Sequence, residues 1–225
     1  MTNILWLNEG GAIVGESGSF TQPYRTINNI FNYIEQNITD SDNWFILIKP
    51  SVIISGLIDF TASEFSTIAN LFNNNNKKLF FIGMSEINYS NEQQILNDIT
   101  NRYGPFSKTV FLSQIQKYKT SLDYSEKREI FIQNSTKYSN TMPLKIKGNI
   151  TFINFEFNSP VHVIIEGNSC KPTFYKCLFL EQLKVYEENP SITPGELPDN
   201  LFTVSSKFSV ATSDRVIVNL CMFSN

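Results

Sequence analysis

Three six-residue stretches decide the fold: Phe152-Ile-Asn-Phe-Glu-Phe157, Phe174-Tyr-Lys-Cys-Leu-Phe179 and Val218-Asn-Leu-Cys-Met-Phe223. They align without gaps, with apolar residues at the first, fourth and sixth positions. The second begins 22 residues after the first, and the third begins 44 residues after the second, twice that period. A 20–30-residue repeat built from short strands is the signature of a solenoid, in which each unit buries its apolar face against the next. The repeat predicts strands stacked about 4.8 Å apart. Phe152, Phe174 and Val218 would form one buried column, Phe157, Phe179 and Phe223 another, and Phe155, Cys177 and Cys221 a third. Chance agreement of three segments is the competing reading. A two-sheet sandwich would use the same alternation, but it supplies no reason for a fixed period.

A second set of strands accompanies the first. Leu144 to Asn149 runs into the first stretch, Val161 to Ile165 into the second, and Leu201 to Val204 towards the third. Gly148-Asn149 and Gly167-Asn168 mark tight turns, because Gly and Asn tolerate positive φ. Lys184 to Asn200 carries Pro190, Pro194, Gly195 and Pro198, so it is no central strand and reads as a loop excursion over 182–200 or as an irregular coil between the second and third units.

The first half mixes strands with helices. Leu5-Trp-Leu7 is a short strand followed by a Gly/Ser loop. Thr26 can cap a helix whose apolar face is Ile27, Ile30, Phe31, Ile34 and Ile38. Trp44 to Lys49 is a strand that stops at Pro50, and Val52 to Ile58 is a second apolar run. Thr61-Ala-Ser-Glu64 has the form of a capping box ahead of Phe65, Ile68, Ala69 and Phe72. Leu79 to Ile82 is a strand closed by Gly83. Ser90-Asn-Glu-Gln93 is a second candidate capping box, ahead of Ile95, Leu96, Ile99 and Tyr103. Thr109 to Ile115 is ambiguous between strand and helix.

With both ends read, the chain resembles the right-handed parallel β-helices of the pectin-lyase-like superfamily. The likeness rests on Leu5-Trp-Leu-Asn8, the Gly/Ser loop, Pro23-Tyr-Arg-Thr-Ile27 and the helix after it. Trp44 to Pro50 and Ile150 to Phe157 complete it. It covers about Ile4 to Val52 and Ile130 to Asn225. The resemblance implies a mainly β fold: a single-stranded right-handed parallel β-helix over 1–225. Its parts would be an N-terminal strand, loop and capping helix (1–43), first coils with a helical insertion (44–83), an irregular or helical insertion (84–129) and regular coils (130–225). The alternative is a small α/β N-terminal domain followed by a β part. The superfamily holds polysaccharide lyases and hydrolases, viral tailspikes and other virion proteins, and non-enzymatic surface proteins.

Lyases of this kind hold calcium with clustered carboxylates, and hydrolases use paired Asp groups on neighbouring coils. Both need two carboxylates facing one groove. No Asp occurs between Asp123 and Asp199, and Glu156 aligns with Leu178 and Met222. Glu166, Glu181, Glu187, Glu188, Asp214 and Arg215 read as solvated charge. His162, the single histidine, alternates with Val161 and Val163 and so points outward. It could serve as a general base, but no partner stands at recognisable spacing. Tyr24 and Tyr175 could stack on sugar rings, although packing is the commoner use. Gly15-Glu-Ser-Gly18 is too short for a phosphate loop. No catalytic, cofactor or metal site is expected.

Composition narrows the class further. The chain has 225 residues, 17% charged, with a net charge of −3, which disfavours a dedicated nucleic-acid binder. Asn and Ile each occur 26 times and Ala only 4 times. An AT-rich genome accounts for that bias, and a stacked β-fold would also use it. Met1 to Gly10 is no secretory signal, and no run reaches the roughly 18 apolar residues of a membrane span. Cys170, Cys177 and Cys221 cannot make a full disulfide framework; the last two read as buried thiols. The final strand leaves Val216, Val218, Leu220, Met222 and Phe223 as a candidate interface for another subunit. The expectation is a non-enzymatic assembly protein, a virion component located in the virion or host cytoplasm and acting through protein subunits. The alternatives are a polysaccharide-degrading enzyme or a glycan-binding module.

Overall fold

Branched and aromatic runs form short strands along the described residues. The computed structural model describes residues 3–9, 15–19, 21–38, 43–49, 52–73, 77–83, 136–165, 172–175, 177–187, 200–204, 211–212, 217–219 and 221–223. In order, the chain forms β1 (Ile4–Leu7), α1 (Ile27–Asn37), β2 (Trp44–Ile48) and β3 (Ile53–Ile54). A 3-10 turn at Ser63–Phe65 leads into α2 (Ser66–Leu71), then β4 (Leu79–Gly83) and β5 (Thr136–Tyr138). There follow β6 (Leu144–Lys147), β7 (Ile150–Ile153), β8 (Phe155–Phe157), β9 (Val161–Ile165), β10 (Thr173–Tyr175), β11 (Leu178–Phe179) and β12 (Leu183–Glu187). The last strands are β13 (Asn200–Val204), β14 (Ala211–Thr212), β15 (Ile217–Asn219) and β16 (Met222–Phe223).

The protein is mainly β, with few helices, and the described residues form three sheets. The first has the order β1-β2-β4-β7-β10-β15-β14, the second β16-β11-β8-β5-β3, and the third β13-β12-β9-β6. Every pairing is parallel except β12 with β13 and β14 with β15. From β7 to β12 the chain visits first, second and third sheet in turn, then repeats that order. The expected register holds: Phe174 pairs with both Phe152 and Val218, and Phe179 with both Phe157 and Phe223. The first column extends further than the repeat revealed, through Leu5, Ile46, Phe81, Phe152 and Phe174, with Val218 next in backbone register. Phe81 stacks on Phe152 at 4.8 Å between ring centroids, and Phe152 on Phe174 at 5.9 Å.

α1 closes one end of this core. Thr26 caps it, accepting from the Asn29 amide at 3.2 Å, and Ile27, Ile30, Phe31 and Ile34 are buried. The Phe31 ring meets Phe60, Phe65 and Phe81, which joins the helix to the aromatic stack. The free edge of β1 is covered by the loop before α1. The Trp6 amide donates to the Gly18 carbonyl, and the Tyr24 amide to the Trp6 carbonyl, each at 2.8 Å. Backbone groups on an edge strand need such partners.

Three expectations need correction. Leu183 to Glu187, inside the expected 182–200 excursion, is a strand between β9 and β13. Its prolines begin only at Pro190, and Leu183 and Val185 repeat Val161 and Val163 one period later. Leu201 to Val204 runs antiparallel to that strand and is not the next parallel member. The Thr61–Glu64 box does not form: neither the 3-10 turn nor α2 has a side-chain cap, and Thr61 instead donates to the Asp59 carboxylate. The expected elements between Ser90 and Lys127, and the Gly167-Asn168 turn, lie outside the described residues.

Turn chemistry holds at the other glycine. Gly148 has φ +99, and a Cβ there would press on the Phe72 and Ala69 carbonyls at 3.2 and 3.3 Å. The neighbouring Asn149 amide donates to Phe72 at 2.8 Å, so this turn satisfies the end of α2.

Candidate functional site

In-register stacking turns each outward position into a row across neighbouring strands, so any surface chemistry lies along rows. On the third sheet the row is Asp59, Lys145, His162 and Lys184. Lys145 Nζ lies 2.9 Å from Asp59 Oδ2. Burial alone would raise the Asp59 carboxyl, but hydrogen bonds from Thr61 and Lys145 hold it below the usual carboxylate range. His162 stands on the face opposite Val161 and Val163, as alternation predicts, but it is only 9% exposed. Burial first, then Lys184 and Lys145, lowers its pKa and favours the neutral ring. A neutral imidazole between two ammonium groups is a hydrogen-bonding group in a cationic strip.

On the second sheet the row is Ile53, Lys137, Glu156, Leu178 and Met222. Glu156 is buried and meets Lys137 at 3.6 Å. Its neighbour on the other side is Leu178, as the alignment of the repeats predicts. No second carboxylate stands beside it in this register.

The first sheet differs. Its outer rows are Trp6, Leu47, Ile82, Ile153 and Tyr175, and beside them Phe45, Phe80, Thr151 and Thr173. Apart from the partly exposed Phe45, all of these are buried. This sheet is therefore buried on both faces, which explains the unbroken apolar runs Trp44–Ile48 and Leu79–Gly83.

Other carboxylates tie together segments distant along the chain. The Glu9 carboxylate accepts from the Ser55 amide at 2.9 Å and the Gly56 amide at 3.0 Å. Glu16 accepts from Asn29 Nδ2 at 2.6 Å. Neither role was visible in the sequence, because each pairs residues distant along the chain. Asn154 was also missed. It has φ +61 at the corner between β7 and β8, a left-handed conformation that Asn adopts more readily than most residues. Its Nδ2 donates to the Gly83 carbonyl at 2.8 Å, its amide to Tyr175 at 3.0 Å, and its carbonyl accepts from Thr136 at 3.2 Å. One side chain and one peptide thus tie three neighbouring strand ends. The signal available was a single Asn between two short strand-like segments, Ile150–Ile153 and Phe155–Phe157.

The remaining sequence candidates fall as follows. Tyr24 and Tyr175 are buried and pack within the fold, so neither presents a ring for stacking on a sugar. Glu181 is exposed, and Glu187 ends β12. Glu166, Glu188, Asp214 and Arg215 lie outside the described residues. Of the interface candidates, Val218 lies on β15 and Met222 and Phe223 on β16, while Val216 and Leu220 lie outside the described residues. Among the described residues no three His, Cys, Asp or Glu side chains converge as a metal site, and no helix is long and apolar enough to cross a membrane. No family model, curated protein or solved structure matches the chain.

Proposed function

We propose that this chain is a non-enzymatic scaffold protein, built as one right-handed parallel β-helix and working among other protein subunits of a larger particle. The cyclic order of first, second and third sheet from β7 to β12 supports the β-helix reading. Its right hand follows from the rule that about 98% of parallel crossovers turn that way. One observation carries the scaffold reading: Glu9, Glu16, Asp59 and Glu156 each bind another part of the same chain. Catalysis by paired carboxylates needs such groups turned to a substrate instead. The particle proposed is a virion, on the resemblance to tailspike-type proteins.

A second reading, binding of an acidic glycan, is favoured by the Lys145–His162–Lys184 row. Sedimentation velocity over a wide concentration range, run beside turnover and binding assays on acidic polysaccharides, separates the two. The scaffold reading predicts self-association or co-assembly without turnover. A strictly monomeric chain, or turnover abolished by one Glu or Asp substitution, contradicts it. Glycan affinity lost in Lys184→Ala would favour the second reading.

A further inference from the structure

Cys177 and Cys221 are 44 residues apart in sequence yet immediately precede two neighbouring strands, β11 and β16. β10 pairs directly with β15, and β11 with β16, so the two cysteines immediately precede the Leu178–Met222 pair. Both are fully buried in the apolar core. Each thiol also sits in an equivalent backbone environment. Cys177 Sγ donates towards the Phe152 carbonyl at 3.5 Å and the Tyr175 carbonyl at 3.4 Å. Cys221 Sγ donates towards the Phe174 carbonyl, one repeat further on, at 3.6 Å. The Cys221 thiol is also near enough to Cys177 to help raise its pKa.

Residues facing each other across parallel strands lie about 4.8 Å apart, inside the Cα separation of about 4.4–6.8 Å that a disulfide bridges. Two buried thiols at matching register positions with that separation need little backbone movement to join. We propose that Cys177 and Cys221 are a disulfide-ready pair, which oxidation closes into a covalent staple between two successive turns of the stack.

The reaction forms one Sγ–Sγ bond. Two thiol hydrogens leave as two protons and two electrons, which an added azo oxidant such as diamide accepts to become a hydrazine. The thiolate is the attacking species. Burial first, and then the Cys221 thiol, pushes the Cys177 pKa well up. The closed fold therefore oxidises slowly, and transient opening of the last turn sets the rate. The inference rests on the strand register and not on the scaffold reading.

The test uses the reduced full chain. It is incubated with diamide in mild denaturant, its residual thiols are blocked, and it is digested without reductant. The expected product is a peptide pair linked through Cys177 and Cys221. The melting midpoint should rise by roughly 5–15 °C and fall back on reduction. Cys170→Ser should keep both results. Links through Cys170 or between chains, no link at all, or a midpoint that stays level or falls would overturn the proposal. The wild-type peptide map decides this even if Cys221→Ala fails to fold.

Discussion

The first and third sheets share one inner face and differ on the outer one. Inside, both present apolar columns: Phe81, Phe152 and Phe174 on the first, Leu144, Val161 and Leu183 on the third. Outside, the first sheet carries Leu47, Ile82 and Ile153, all buried, and the third carries Lys145, His162 and Lys184. In-register stacking copies a position's chemistry into a row. The inner rows are therefore set by the need to fill the core, while the outer rows are free to diverge. Core filling constrains the inner rows of both sheets, and burial constrains the outer rows of the first sheet as well.

Substitutions along both faces put that contrast at risk. Phe152 lies stacked between Phe81 and Phe174, so Phe152→Ala should cost the most, about 3–5 kcal/mol by urea denaturation. Ile153→Ala, on the outer row of the same sheet, should cost about 2–5 kcal/mol, because this row is buried too. A loss below about 0.5 kcal/mol, the size usual for surface changes, would erase the distinction between the sheets. Asn154→Ala removes a side-chain hydrogen bond at a left-handed corner and should cost about 1–3 kcal/mol; Asn154→Gly should recover part of it.

The smallest effect is expected on the third sheet and depends on pH. The folded pKa of His162 lies below its ordinary value of 6.5. Below that pH the unfolded chain binds a proton that the native chain resists, so stability falls as pH drops from 6.5 through the folded value. The urea midpoint should decline over that window in the wild type and flatten in His162→Gln. Asp59 acts in a separate window. Its folded pKa is below 3.8, so its contribution is present above that pH and is lost as pH falls further. A wild-type midpoint that stays level all the way from pH 6.5 down to the Asp59 window, or that rises below pH 6.5, would show that the imidazole is not held neutral.

The inner repeat was legible because every unit must put large apolar groups at the same positions, which Phe152, Phe174 and Val218 do without help from context. α1 was legible for a similar reason: Thr26 and the Ile27–Ile34 stripe are local signals. β12 was lost because the prolines from Pro190 onward coloured the reading of Leu183 to Glu187, which precedes them. Asn154 gave no repeat signal, since Lys176 and Leu220 occupy the matching positions. The outer rows were illegible for a deeper reason. Asp59 meets Lys145, and Glu9 meets Ser55, only after the strands have stacked, so no local pattern announces either pair.

The stacked register is the central claim, and ring-to-ring nuclear Overhauser effects test it most directly. In a deuterated chain with protonated Phe rings, the account predicts cross-peaks for Phe81–Phe152, Phe152–Phe174 and Phe157–Phe179, whose centroids lie 4.8, 5.9 and 5.0 Å apart. Local contacts such as Phe155–Phe157 without any of these three would contradict it.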